Sequence, residues 1–386
     1  YAPSAKTLSS RASANNGEDI VIRVNRGAFW AVDMIKVKVE KSEPEVKLSD
    51  YDYYVAGNSI DIAGLSVNKS TYGDPTEVTS DMNITNGGVY FVAENDVTLT
   101  LGTDVTVLGN VVILPKSDDI KNLVVTFANK TFISGDFICK RVSINRTNDI
   151  DMFELKSDEV DFALEGCKVN DDYCNKAWLT PKDAKLSSFN VYNTDIKLNK
   201  GGQATGFLNN LNCDNFAFIN NIVYYSSEVT SESTENEHLN NFKLFSGNNY
   251  IVKNIKVSSN TFVDVETTYN NGVTGMIYAT SCESIEFNNN IYYMAYPLTE
   301  FTSLNKTQTT TILLRISNYS DVTRTIANNN YGYNGNSNMK FQLCYGKTAT
   351  ENMSAIQLVD NLFETFDKAN GIFIPNSDYT SYGAQR

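Results

Sequence analysis

The sequence predicts an all-β chain wound as a parallel β-helix, a solenoid of stacked coils, with a short β segment before it. Three observations lead there. Between Cys213 and Tyr331 one pattern recurs, an apolar run, then asparagine, then a second apolar run: Phe216–Tyr224 (FAFINNIVY), Asn254–Phe262 (NIKVSSNTF), Ser284–Tyr292 (SIEFNNNIY) and Arg324–Tyr331 (RTIANNNY). Between Gly88 and Phe127 short apolar runs follow one another closely, separated by Gly, Asn and Asp. Strand-forming Tyr, Phe, Thr, Val and Ile are plentiful, and no long amphipathic helical pattern interrupts them.

The repeat carries most weight, because a period of this order decides architecture. Its marks fall at Asn220, Asn260, Asn289 and Asn329, about 40, 29 and 40 residues apart. Asn361 is a candidate fifth mark, and Thr194–Ile196 a candidate earlier one. Within a unit, Phe216 and Phe218, then Ile222 and Tyr224, keep the two-residue alternation of a strand. The asparagines between them suit a corner, since Asn tolerates positive φ better than other non-glycine residues. Two short strands meeting at a fixed corner describe one coil. A β-sandwich with asparagine-rich loops is the competing architecture, and the fixed register of the asparagines argues against it.

Taken in order, residues 1 to 16 read as a loose terminus. Asp19–Val24, Phe29–Asp33 and Ile35–Val39 read as strands of an antiparallel unit too small to stand alone. Residues 1–45 are therefore a cap or the tail of a preceding domain, and 46–386 the solenoid, with Ser42–Glu45 as boundary. Gly88–Val92, Val97–Leu101, Val105–Leu108, Val111–Leu114 and Leu123–Phe127 are expected strands, followed by coil units over Val160–Val169 and Phe189–Ile196. Asn170–Leu186, Ser226–Asn241 and Tyr296–Thr311 read as insertions of the kind that line a binding face.

With 45 acidic against 32 basic residues the formal charge is −13, which disfavours nucleic acid and anionic lipid as partners. No apolar run reaches the roughly 18 residues of a membrane-spanning helix. The six cysteines show no metal-type pairing; they suit buried fillers, with a Cys167–Cys174 disulfide left open.

The asparagine-marked strands resemble the right-handed parallel β-helix proteins of the pectate-lyase-like superfamily, over about residues 46–386. The closing stretch Asn370–Arg386 resembles the tail of secreted β-helix proteins from polysaccharide-utilising gut anaerobes. The resemblance implies a bacterial extracellular or cell-surface protein, monomeric, with a polysaccharide partner: a glycan binder, or a lyase or hydrolase. It does not bring a complete catalytic motif. Asn193–Asp195 (NTD) matches the first of four hydrolase motifs of the polygalacturonase type. No Asp pair follows it, no Gly-His-Gly is present, and Arg315–Ser317 (RIS) is nearest to Arg-Ile-Lys.

Candidate acid–base or charge-neutralising residues are Asp171, Asp172, Asp195, His238 and Arg315, joined for lyase chemistry by Lys253, Lys256 and Arg324. Asp171 and Asp172 are also candidate Ca²⁺ ligands. A solvated surface charge is the plainer reading of each, and His238 is expected in a solvated acidic loop. Trp178, Tyr225, Tyr293 and Tyr296 are candidate sugar-stacking rings, with Tyr224 and Tyr292 as neighbours on alternate faces. The main groove is expected along one strand sheet, walled by the 226–241 and 296–311 insertions.

Overall fold

The computed structural model describes residues 24–26, 29–31, 48–181, 184–203, 205–230, 232–234, 237–240, 242–267, 275–296, 300–301, 306–307, 310–318, 322–335, 340–345 and 356–385. The chain divides into two compact units, Tyr1–Leu48 and Ser49–Arg386. In the first, Val24–Arg26 pairs antiparallel with Phe29–Ala31, and Asn25 lies opposite Trp30. The expected strand Ile35–Val39 and most of Asp19–Val24 lie outside the described residues.

The second unit is a parallel β-helix, of the right hand that parallel crossovers adopt. Parallel strands stack into one ladder of 18 and another of 11. The larger ladder carries two faces, joined by the long strand Phe245–Ser258, whose start pairs in one face and whose end pairs in the other. The faces are numbered in chain order, face 1 being the one that leads into the asparagine-marked corner. Face 1 runs from Pro75–Val78 through Val160–Glu165, Lys185–Tyr192 and Asn212–Ile219 to Arg324–Ile326. Face 2, the 11-stranded ladder, follows one corner later in each coil, as in Lys168–Asp171, Asp195–Leu198 and Ile222–Tyr225. Face 3 closes the coil with short strands such as Phe153–Leu155, Leu179–Thr180 and Leu208–Asn209.

The corner between faces 1 and 2 is the repeat seen in the sequence. Asp96, Asn122, Arg141, Gly166, Asn193, Asn220, Ser259, Asn289 and Asn329 each take the left-handed conformation there, with φ of 52–60°. The next residue turns inward and is buried: Val97, Leu123, Val142 and Cys167 in the early coils, then Thr194, Asn221, Asn260, Asn290 and Asn330. The alignment mark at Asn260 is thus one residue late, because Ser259 takes the corner and Asn260 the inward position. Asn361 is no corner at all; it is exposed beyond the last face-2 strand.

The inward asparagines form a ladder. Asn221 Nδ2 donates to Val191 C=O at 2.8 Å and to Asn260 Oδ1 at 3.1 Å, and Asn260 Nδ2 donates to Phe218 C=O at 2.8 Å and to Asn290 Oδ1 at 3.0 Å. Asn290 repeats the arrangement with Val257 and Asn330. Each amide satisfies backbone and neighbour together, which is what makes its burial tolerable.

The interior is otherwise apolar, with like residues stacked coil over coil. Phe162, Phe189 and Phe216 lie 5.1 and 5.2 Å apart, nearly parallel. Between face 2 and face 3 the interior holds a buried ion pair: Arg146 Nε and Nη2 reach Asp171 Oδ1 and Oδ2 at 2.8 and 2.5 Å. Asn170–Leu186 is therefore no protruding insertion, since it contributes Leu179–Thr180 to face 3 and Trp178 to the core.

Two segments lie on the outside of this prism. Residues 49–73 form a flap made of the helix Asp50–Val55, the hairpin Ile60–Ile62/Leu65–Val67 and the helix Lys69–Tyr72. Ser49 and Asn68 cap the helices, accepting from Asp52 N–H and Thr71 N–H. Tyr54, Ile60, Ile62 and Val67 cover the outward apolar side chains of face 1, including Val89, Phe91, Val112, Leu114, Ile138 and Ala163. Residues 359–385, after the last face-2 strand Gln357–Leu358, form a strap. Its hairpin Phe363–Asp367/Ile372–Pro375 sets Phe373 against the outward Ile222, Tyr224 and Val263 of face 2. No helix among the described residues is long and apolar enough to cross a membrane.

Candidate functional site

Face 1 changes character where the flap ends. A strand alternates its side chains, so each outward column on this face is one residue per coil, in register. One column is Asp161, Ser188, Asn215, Asn254, Ser284 and Arg324. The next is Ala163, Asn190, Ala217, Lys256 and Glu286. These columns floor a cleft of about 510 Å³, bounded at one end by Gly64 and Leu65 of the flap hairpin. At roughly 4.8 Å per rung the floor from Asp161 to Arg324 is on the order of 24 Å long.

The floor is tied together side chain to side chain. Ser188 Oγ donates to Asp161 Oδ1 at 2.6 Å, Asn254 Nδ2 to Asn215 Oδ1 at 3.0 Å, and Ser284 Oγ to Asn254 Oδ1 at 2.7 Å. Lys256 pairs with Glu286 at 3.1 Å. Partial burial pushes the Asp161 carboxyl above its ordinary range, with the nearby Asp136 carboxylate adding to the push and the Ser188 hydrogen bonds opposing it. Asp136 accepts from Asp161 N–H at 2.8 Å and from the Tyr72 hydroxyl at 2.7 Å, which links the flap to the closed end of the cleft. Tyr192, also in the lining, has its hydroxyl pushed up by burial and then by Asp61 and Glu165.

The expected site residues are dispersed around the prism. Asp171 is inside, bound to Arg146 and to the Trp178 indole N–H at 3.0 Å. Asp172 is half-buried and accepts from Asn199 at 2.8 Å. Successive residues of a strand end point to opposite sides, so this pair cannot close on one Ca²⁺. Among the described residues no group of three or more His, Cys, Asp or Glu is placed to hold a metal. Asp195 sits outward on face 2, beside a second cavity of about 420 Å³ between that face and the strap. The NTD motif is a plain coil corner, with Asn193 in the left-handed conformation and Thr194 buried.

His238 does not lie in a solvated loop. It is 3% exposed, its Nδ1 3.1 Å from Glu266 Oε1, because Val229, Leu239 and Phe242 bury that segment. Arg315 is outward on face 3, its guanidinium 4.3 Å from the Tyr278 ring centre.

Of the stacking candidates, Trp178 is 1% exposed and lies on Phe207 at 3.8 Å, and Tyr225 is 3% exposed, so neither ring can meet a sugar. Tyr293 is outward on face 2 but covered, with Tyr333, Phe363 and Phe366 rings within 6 Å; burial and Asp264 push its hydroxyl up to about 12. Tyr296 is 46% exposed, at the end of a face-2 strand and not in the cleft. Cys139, Cys167, Cys174, Cys213 and Cys282 are buried free thiols, so Cys167 and Cys174 are not bridged.

The cleft on face 1 runs along a strand sheet, but its wall is the flap hairpin and not the 226–241 segment; most of 296–311 lies outside the described residues. Of the sequence candidates only Lys256 and Arg324 reach the cleft. Asp161, Ser188, Asn190, Tyr192, Asn215, Asn254, Ser284 and Glu286 were missed. For Asp161, Ser188, Asn215, Asn254 and Ser284 the signal is a polar residue just before the inward Phe162, Phe189, Phe216, Ile255 and Ile285, visible once the units are aligned. No family model, curated protein or solved structure matches the chain. Function is therefore argued from the cleft alone.

Proposed function

We propose that this β-helix is a polysaccharide-binding protein, working outside the cell or attached to its surface, and that the face-1 cleft is where the glycan lies. The observation that carries the reading is the outward column from Asp161 to Arg324. It offers hydroxyl, amide and charged groups at a constant strand spacing, along a floor long enough for an extended chain. A polymer of repeated polyhydroxylated units is the ligand whose own periodicity such a floor can meet, with many moderate hydrogen bonds in place of a few strong ones.

A processing enzyme is the second reading. It is favoured by Lys256, Glu286 and Arg324 on neighbouring rungs of the cleft, and separately by the Asp161 carboxyl, held protonated to higher pH than usual at its other end. β-Elimination would need one of these to take a proton and a cation to neutralise a uronate; hydrolysis would need two carboxyls spaced across the bond.

A glycan array followed by turnover assays, with and without added Ca²⁺, tests both. Binding that Asn254→Ala and Lys256→Ala weaken, without product, supports the binder. Unsaturated product from a uronic-acid polymer, abolished in Asp161→Asn or Lys256→Ala, replaces it with a lyase. No glycan bound at all leaves a structural, adhesin-like solenoid.

A further inference from the structure

We propose that the cleft receives the end of a polysaccharide chain, not its middle. This rests on the glycan reading above and adds how the polymer is engaged. An extended chain laid along the stacking axis must leave the cleft at both ends or stop at one. At one end Arg324, the last rung of the floor among the described residues, is exposed. At the Asp161 end the floor is blocked.

The block is the tip of the flap hairpin. Ile62 pairs with Leu65, so the turn has two residues, Ala63 and Gly64, with φ of 50° and 82°. That is the tight hairpin turn in which both central residues need positive φ. Ala63 is held there from both sides. Its C=O accepts from Asn190 Nδ2 at 3.0 Å, and its N–H donates to the Glu165 carboxylate. A non-glycine residue at positive φ persists only when its surroundings over-determine it, and here they do. The hairpin behind the tip cannot swing aside cheaply either. Lifting it would uncover Val112, Leu114, Ile138 and Ala163, all buried beneath it. Past the tip the Ala163 column turns apolar beneath the flap, and the next polar group beyond Asp161, the Asp136 carboxylate, is already held by the Tyr72 hydroxyl of the flap and by Asp161 N–H.

The closed end is also the most richly furnished part of the floor. Asp161, Ser188, Asn190 and Tyr192 meet there beside Gly64. A terminal sugar carries a free hydroxyl that an internal unit spends on the next linkage. That extra hydroxyl needs a partner, and a carboxyl with two oxygens, of which Oδ1 accepts from Ser188, can supply one.

The test uses the full chain and printed size series of galacturonate, glucan, xylan and mannan oligosaccharides. For the series that binds, calorimetry gives protein bound per chain as length increases. Chain-end engagement keeps that ratio at one for every length, and capping one particular end of the chain abolishes binding while capping the other does not. Tyr192→Phe, at the closed end, lowers affinity about fivefold for short and long chains alike. Arg324→Ala, at the open end, weakens only the longer ones. A ratio that climbs in proportion to length, or binding that survives both caps, overturns the proposal and leaves the glycan reading standing. No binding of any series by the wild-type protein removes both.

Discussion

Faces 1 and 2 of the solenoid are built alike on the inside and oppositely on the outside. Face 1 turns apolar side chains outward in its early coils, from Val89 to Ala163, and polar ones later, from Ser188 to Arg324. Face 2 does the reverse. Thr100, Thr126, Asn145, Asn170 and Lys197 point out in the early coils, then Tyr224, Val263, Tyr293 and Tyr333. In each case the chain covers the apolar half with its own end, the flap on face 1 and the strap on face 2. Outward apolar side chains thus mark where the protein packs on itself. Each cover stops in the middle of its face; on face 1 the flap tip stands at the end of a cleft floored by the polar column, and on face 2 the strap borders a smaller cavity beside Asp195.

The two covers are held by different means, and the largest expected effects separate them. The strap buries an ion pair: Lys368 Nζ is 2.6 Å from Asp264 Oδ2 and also donates to Ser227 C=O. Lys368→Met leaves the Asp264 carboxylate buried and unpaired, a loss of about 3–5 kcal/mol. Chemical denaturation should report it, and limited proteolysis should cut first within 359–385. The flap is held by apolar packing. Ile62→Ala should cost about 2–4 kcal/mol by leaving a cavity over Val112 and Ile138. It should expose the 49–73 segment to protease and weaken glycan binding, whereas Lys368→Met leaves binding intact. If both variants weaken binding equally, the two covers are not functionally distinct.

A smaller effect sharpens the contrast between early and late coils. Asn260→Leu strips the partners from Asn221 and from Phe218 C=O, which costs on the order of 2–3 kcal/mol. The inverse change, Val142→Asn, puts an amide where the neighbours above and below are Leu123 and Cys167, and it too should destabilise. Equal tolerance of asparagine at both positions, measured by denaturant midpoint, would show that the ladder is not what distinguishes the late coils.

The corners were legible in the sequence because the left-handed conformation restricts residue choice so strongly. The slip at Asn260 has a physical cause. In Asn220–Asn221, Asn289–Asn290 and Asn329–Asn330 the corner and ladder residues are both asparagine, while Ser259–Asn260 keeps only the second. The short runs at Gly88–Val92 and Val111–Leu114 were legible from their close spacing and their flanking turn residues. The cleft was not, because Asp161, Ser188, Asn215 and Asn254 become neighbours only when the register is known, across coils of unequal length. Its end wall comes from residues about a hundred positions earlier, and nothing local to Ala63 and Gly64 announces that destination. Trp178 and Tyr225 were misplaced for a related reason: residue type indicates that a ring can stack, but the coil's direction of turn decides on what.

The smallest effect on stability is the most informative about the cleft. Asp161 is near-isosteric with asparagine, so Asp161→Asn should change stability by less than about 1 kcal/mol near the ordinary aspartate pKa. Because burial and Asp136 hold the folded-state carboxyl above that value, its ionisation is less favourable folded than unfolded. The favourable contribution of the protonated group is full below the unfolded pKa and is lost as pH rises through the folded one. The variant has no such loss. Relative to wild type it should therefore gain stability as pH climbs across that interval, and the difference should then level off. The chain-end reading requires the same interval to appear in glycan affinity, with wild-type binding rising as Asp161 ionises to a stronger acceptor for the terminal hydroxyl and the variant staying flat. The face-2 counterpart Asp195→Asn should leave affinity unchanged at every pH. A stability difference that does not vary with pH would mean that Asp161 is better solvated than its place under the flap tip implies. The closed end of the cleft would then be wet, and the distinction between the two polar halves would rest on shape alone.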